Sequence, residues 1–370
     1  MRLVYLSPLP WSSFEQRPHK FVRWFHARTQ APVLWIDPYP ARFPKLEDFA
    51  RMRRPVTTPQ CVQSLPSWMR VVRLRVLPIE PLPALAHLNR FLWARLLVQI
   101  TRFIESDKAT IVFGKPSLLA LQVLSHFPQH LTMYDAMDDF PSFHKGLAKR
   151  TMNKRECLLV TQVGVVWASS HKKHERLLQL RADVQLAPNG LDPASLPAPR
   201  VRATPQKPAV FGYVGTMAAW FDWNVVLALA KARPFDRIRL IGPLHGNPPT
   251  PLPTNVELLL PLPHAQALEA MNEFDVGLIP FRRSPLTDSV DPIKYYEYRA
   301  LGLPVLSTEF GEMATRRGVR GVYLIKTIDD VSEAASKALA DFVEPDKTFI
   351  REHSWDAIFD TVKNTLFCRV

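Results

Sequence analysis

Glycine is scarce in this chain, with 13 residues against 35 prolines. None of it forms the G-x-G-x-x-G or G-x-x-x-x-G-K-[ST] turns that cradle a dinucleotide or a triphosphate after a strand, so NAD and P-loop chemistry lose their main support. Cysteine is scarcer still. Cys61, Cys157 and Cys368 are odd in number and widely spaced, which argues against a disulfide framework or a C-x-x-C metal site and fits a reducing cytoplasm. No uninterrupted apolar run approaches the roughly 18 residues that a membrane-crossing helix needs. The opening "MRLVYLSPLPW" is too short for a signal h-region and reads as a first strand. No metal site is expected either: His171 and His174 in "HKKH" stand one turn apart without further ligands and read as a basic helix start.

Charge is present in excess of one sign and in one place. The formal net charge is +13, yet residues 1–190 hold 27 Lys+Arg and 13 Asp+Glu (+14), and the remaining residues hold 20 and 21 (−1). Such asymmetry points to an anionic partner for the first half alone. "HKFVRWFHAR" and "RFLWARLLVQITRF" interleave cations with Trp, Phe and Leu, a pattern that suits a helix at an anionic membrane surface as well as one with a core-facing stripe. No helix-turn-helix, finger or RNP pattern accompanies the charge, so nucleic acid is not expected.

Short apolar or β-branched runs alternate with helical patterns, the mark of βα units and a parallel sheet. In the first half the expected strands are 3–6, 33–36, 110–113, 131–134 and 163–168. Residues 188–208 hold six prolines and no periodicity, and read as a linker. The alternation then resumes through "AVFGYVGT", "RIRLIGP", "NVELLLP", "DVGLIPF", "PVLST" and "GVYLI". The length and this pattern predict an α/β protein of two Rossmann-like doubly wound domains facing a central cleft: residues 1–187, the linker 188–208, residues 209–350, and a helix in 351–370 crossing back.

One stretch, "VDPIKYYEYRALGLPVLST" (290–308), concentrates chemistry. Asp291 reads as an N-cap, Pro292 as the first helical residue and Gly302 as the stop, giving about three turns. First-turn amides around Pro292 and Ile293, with the helix dipole, make an anion site worth about 0.3–2 kcal/mol per negative charge. Lys294 adds a full charge suited to a diphosphate, and Glu297, one turn on, can accept paired hydrogen bonds from a ribose diol. A plain i,i+3 ion pair on a helix surface is the competing reading.

This stretch resembles the donor-binding signature of GT-B glycosyltransferases, in particular bacterial family 4-like enzymes of surface polysaccharide assembly. The match to "P-x-K-x-x-E-Y-x-A-x-G-x-P-V" runs over Pro292, Lys294, Glu297, Tyr298, Ala300, Gly302, Pro304 and Val305. Four further segments between 209 and 366 are similar in order. The resemblance implies that Glu297 binds the ribose, that Lys294 binds the pyrophosphate, that the backbones of Gly215 and Thr216 approach the phosphates, and that Pro261 and Leu262 flank the base. The chain departs from the group at Ser289, where retaining members carry a second Glu, and in "GTMAAWFDW", which lacks their Arg and Lys. Both departures leave retaining or inverting stereochemistry open. Asp222 in "WFDW" reads as a helix N-cap.

In the first half, "WSSFEQRPHKFVRWF" and "TMYDAMDDFPSF" resemble the same group. Asp135, Asp138 and Asp139 are then expected on one loop at the sheet's ligand edge. Like charges that close raise at least one pKa, which suits a base for an acceptor hydroxyl, and Asp138 is the preferred member. Arg17 and His19 are candidate acceptor contacts. "DD" is not the DxD of metal-dependent GT-A enzymes, so no metal and no cofactor are expected, the nucleotide-sugar being a substrate. These implications describe a cytoplasmic glycosyltransferase, peripheral at the inner face of the membrane. It would take a UDP- or GDP-sugar in its C-terminal domain and a saccharide or lipid-linked acceptor in its N-terminal domain. The alternatives are a nucleotide-sugar epimerase or hydrolase on the same fold, or a non-catalytic membrane-associated binding protein.

Overall fold

The structure is a computed structural model and describes residues 1–39, 65–74, 89–200, 208–341 and 343–367. Cys61 and Cys368 lie outside these residues. The chain divides into two units, Met1–Ala187 with Phe359–Val370, and Pro188–Ile358.

The first unit is built on a parallel sheet of β1 (Arg2–Leu6), β2 (Val33–Ile36), β3 (Met69–Val72), β4 (Ala109–Phe113), β5 (Leu131–Ala136), β6 (Val165–Ala168) and β7 (Gln185–Leu186), in the order β3-β2-β1-β4-β5-β6-β7. Its strands read "RLVYL", "VLWI" and "ATIVF" with nearly every residue buried. Such continuous apolar runs are what a parallel sheet covered on both faces requires. Four of the five expected strands begin or end one or two residues away from their predicted bounds. The edge strand β3 ("MRVV") was not expected, because only Met69 is fully buried and its arginine breaks the apolar run.

The second unit repeats the plan. β8 (Val210–Val214), β9 (Arg237–Ile241), β10 (Val256–Leu259), β11 (Val276–Ile279), β12 (Val305–Thr308) and β13 (Val322–Ile325) form a parallel sheet in the order β10-β9-β8-β11-β12-β13. In each sheet the winding reverses beside the first strand, between β1 and β4 and between β8 and β11. These are the switch points at whose carboxyl edges doubly wound sheets bind ligands. Asp222 caps the helix Trp223–Ala232, its side chain accepting from the Asn224 amide at 3.1 Å. Residues 188–200, within the predicted linker, pack with the second unit: Leu191 bridges to Ser354.

The last helices return to the first unit. Phe359 packs against Phe21, Trp24 and Trp167. The Trp24 indole donates to Asp360 at 3.0 Å and the Trp167 indole to Thr365 at 3.0 Å. The apolar side of the helix Arg17–Thr29 (Phe21, Val22, Trp24, Phe25) is buried in that aromatic cluster. In the helix Asn89–Ile104, Trp93, Leu96 and Ile100 are likewise core. In these two basic helices most of the large apolar residues face the core, while Leu92 and Val98 are exposed.

At the carboxyl edge of the second sheet the turns after β8 and β9 touch. Gly242 has φ +143°, and a Cβ there would stand 2.2 Å from the Gly215 carbonyl oxygen. Backbone is met, so neither side can rotate away. Gly242→Ala is expected to lower stability by about 1–3 kcal/mol, read as a fall in the thermal or urea midpoint; an unchanged midpoint would contradict the close approach.

Candidate functional site

In the second unit, the chain leaves β11, makes a short turn at Thr287–Ser289 and enters the helix Ile293–Ala300. The helix has about two turns and not three. Pro292 is its N-cap residue, and Gly302, at φ +69°, ends it with a left-handed residue. The Gly302 amide donates to the Arg299 carbonyl and the Leu303 amide to Tyr298, the paired 5→2 and 6→1 bonds of a Schellman motif.

Asp291 does not cap. Its buried carboxylate is turned inward and accepts from the Asn189 amide (2.8 Å), the Tyr296 hydroxyl (2.8 Å) and the Arg316 guanidinium (2.6 Å). Arg316 in turn lies 3.7 Å over the Tyr295 ring. With no side-chain cap, the Ile293 and Lys294 amides have no hydrogen-bond partner among the described residues. These are the orphan donors that suit an anion.

Lys294 is half-buried and places Nζ 2.6 Å from Glu297 Oε2; His264 Nε2 lies 3.4 Å from Oε1. Glu297 is buried. Burial alone would raise its pKa, but the Lys294 charge and the His264 hydrogen bond outweigh that and hold it below the usual carboxylate value. Both glutamate oxygens therefore have a partner, one of which was not foreseen: His264 follows a proline at a helix start in "PLPHAQALEAM", and nothing in that context marks it as a ligand of Glu297.

Gly215 sits at the end of β8 with φ +154°, and the neighbouring Thr216 carbonyl accepts from the Tyr213 hydroxyl at 3.1 Å. Ser289 and Pro292 are buried, Ile293 and Thr216 half-buried, and Leu262 is exposed.

In the first unit the three carboxylates do not share one loop. Asp135 is the fifth residue of β5 and fully buried, bound by Arg17 through Nε and Nη2 at 2.9–3.0 Å; Arg17 Nη1 reaches the Ala187 carbonyl at 2.8 Å. His19 is also buried: Nδ1 accepts from the Gln16 amide (3.2 Å) and Nε2 donates to the Trp11 carbonyl (3.1 Å). That pairing fixes the neutral tautomer, and burial keeps its pKa below the usual histidine value. Arg17 and His19 were read from the sequence as helix-end residues open to an acceptor. In the fold their polar atoms meet the protein, because helix Arg17–Thr29 starts inside the sheet edge and not at the surface.

Asp138 and Asp139 do lie in the loop after β5. Asp139 accepts from Ser142 and from Arg176, which also binds Glu156 at 2.8 Å. Asp138 is half-buried and accepts no hydrogen bond from any described residue. Its pKa is raised, as the sequence predicted for one of the three, but burial is the main cause; Lys173 opposes it and Asp135 adds to it. Lys173 was not singled out by its sequence context, a basic helix start. It is fully buried with no hydrogen-bond partner for Nζ, and burial depresses its pKa against the pull of Glu156, Asp138 and Asp139. Among the described residues no three His, Cys, Asp or Glu side chains are grouped to hold a metal ion.

No family model and no curated protein sequence matches this chain. Solved structures match over its whole length. The lipopolysaccharide outer core galactosyltransferase WaaB in its apo form is 12% identical and covers 100% of both chains at a TM-score of 0.63. Anabaena Alr3699/HepE in complex with UDP-glucose is 13% identical over 99% of each chain at 0.62. The α,α-trehalose 6-phosphate synthase of Burkholderia multivorans is 11% identical over 100% of this chain and 98% of its own, at 0.63. The chain has the GT-B fold. In its GT-B frame, Lys294, Glu297 and Gly215 belong to the second Rossmann-like unit and the Asp138 loop to the first.

The Arg17–Asp135 pair is the most deeply buried ion pair described, with side chains 1% and 0% exposed. Removing one partner leaves an uncompensated charge in the core. Asp135→Asn or Arg17→Met is expected to destabilise by about 3–5 kcal/mol, and the double variant by clearly less than the sum. Urea unfolding of the three variants tests this; additive losses would mean that the two side chains are not coupled.

Proposed function

We propose that this protein is a glycosyltransferase that moves a sugar from a nucleotide-sugar, a UDP- or GDP-sugar, to a hydroxyl of a saccharide or lipid-linked acceptor in surface polysaccharide assembly. One observation carries the reading: a helix in the second unit opens with two unpartnered amides and a half-buried lysine, and one turn on holds a buried glutamate. The solved structures with this fold add support, one of them holding UDP-glucose. In the reaction, the acceptor oxygen bonds to the anomeric carbon as the bond from that carbon to the diphosphate breaks. The diphosphate leaves with the electron pair, met by Lys294 and the Ile293 and Lys294 amides. Glu297 accepts from the ribose hydroxyls. The reading calls for no metal, since the lysine and the helix terminus face the departing charge. If the anomeric centre inverts, the hydroxyl proton passes to Asp138; if configuration is retained, it passes to the departing diphosphate oxygen and no such base is required.

An epimerase or hydrolase would use the second unit alone and would leave Asp138 without a task.

Thermal-shift titration with nucleoside diphosphates and their sugars tests the reading, since binding to the folded state raises the midpoint. At least one is expected to bind, and Lys294→Ala to weaken it about ten- to hundredfold, the worth of a charge-assisted hydrogen bond. No shift with any nucleotide would overturn it.

The base role has its own signature. Asp138 must be ionised, so activity falls on the acid side through its raised pKa. Lys173 lowers that pKa, so Lys173→Met is expected to move the acid limb of the kcat/KM profile to higher pH. Asp138→Asn should lower kcat by about 100-fold or more. An unmoved limb in the first variant, or full activity in the second, would remove Asp138 from the reaction.

A further inference from the structure

Beyond the Asp138 loop the chain makes a 3-10 turn, Phe140–Phe143, and enters the helix Gly146–Gln162. The inner face of that helix, Met152, Arg155, Glu156, Leu159 and Val160, is buried. The outer face of a surface helix is ordinarily polar. Here Leu147, Arg150, Lys154 and Leu158 follow one another along it at helical spacing. Leu147 is 76% exposed and Phe143, just before the helix, 52%. Lys145, Lys149, Arg150 and Lys154 around them are exposed, and none has an ion-pair partner among the described residues. From Phe140 to Arg155 the sequence contains no Asp or Glu.

We propose that this knob, Phe143 and Leu147 ringed by Lys145, Lys149, Arg150 and Lys154, docks on an anionic lipid surface. Exposed apolar side chains rimmed by cations match an interface whose outer layer is negative and whose interior is hydrocarbon. The aliphatic members decide against nucleic acid, which would take the cations and the phenyl ring but has no use for Leu147 and Leu158. The two helices whose sequences suggested membrane contact have most of their large apolar residues in the core, although Leu92 and Val98 of the second are exposed; among the described residues of the first unit Leu147 is the most exposed large apolar side chain. The knob also follows Asp138 by five residues, so a docked surface would hold a lipid-borne hydroxyl near that carboxylate. This last consequence rests on the transferase reading; the docking does not.

Vesicle flotation of the full chain tests it, with phosphatidylcholine alone and with added phosphatidylglycerol. Binding is expected only with the anionic lipid, and is expected to weaken as salt is raised. Phe143→Ser with Leu147→Ser should reduce binding at least about tenfold while the thermal midpoint and any nucleotide-induced shift stay as in the wild type. Changing the four cations to Gln should reduce both the binding and its salt dependence. The proposal is overturned if the wild type does not float with anionic vesicles or if the double Ser variant floats equally well. It is also overturned if the double variant converts an oligomer to a monomer without loss of flotation, since a second copy would then be what covers the knob. Flotation without any nucleotide shift would sink the transferase reading and leave the docking surface standing.

Discussion

The second unit depends on a carboxylate turned the wrong way for a helix cap. Asp291 stands immediately before the Pro292 N-cap, where its oxygen could satisfy a first-turn amide, and instead accepts from Asn189, Tyr296 and Arg316. A buried carboxylate is stable only when its lone pairs are met, and these three donors come from the start of the unit, the second turn of the helix and the segment after Gly311–Thr315. The Asn189 side chain adds a bond to the Asp291 carbonyl at 2.7 Å. The helix mouth is therefore fixed from behind, and its front amides are left open.

The first unit follows the same economy with opposite emphasis. Arg17 neutralises Asp135, and Arg176 is shared between Glu156 and Asp139. Glu156 also accepts from the Tyr134 hydroxyl at 2.9 Å. In this cluster, among the described residues, Asp138 accepts no hydrogen bond and the buried Lys173 ammonium donates none. Burying an unpaired lysine costs more than burying leucine would. The burial of Lys173 couples it electrostatically to Glu156, Asp138 and Asp139.

The sheet architecture was legible because parallel strands covered on both faces must be continuous apolar runs, and those runs stand out between Pro, Gly and charged helices. The edge strand Met69–Val72 was not, since an edge tolerates "MRVV". The helix at 293–300 was legible through Pro292, Gly302 and the Lys294/Glu297 spacing. Its cap was misread because sequence shows that Asp291 is adjacent to the helix but not that Asn189 and Arg316, about 100 and 25 positions away, arrive first. The same holds for Arg17 and Asp135: residue type suggested solvent and substrate, whereas pairing across 118 positions decided for the core. Local signals report what a side chain could do, and long-range partners determine which option it takes.

The Lys294–Glu297 pair illustrates how a competing structural reading and a functional one can both be true of the same atoms. An i,i+3 pair of this type contributes only about 0.2–0.5 kcal/mol on a helix. A doubly charged diphosphate at the helix mouth gains about 0.3–1 kcal/mol per charge from the dipole alone, before any bond to the two open amides or to the ammonium itself. Because Glu297 is buried, drawing Lys294 away costs more than that exposed-pair value, and the diphosphate has to offset it. Glu297 would not be left alone when this happens, since His264 keeps a hydrogen-bond distance to its other oxygen. If Lys294 turns to a diphosphate, as the proposed reaction asks, the His264 contact still favours the ionised form of Glu297. Without it, the departure of Lys294 would leave burial as the dominant influence on Glu297 and favour the protonated acid, which offers a ribose diol fewer acceptor sites than the carboxylate does.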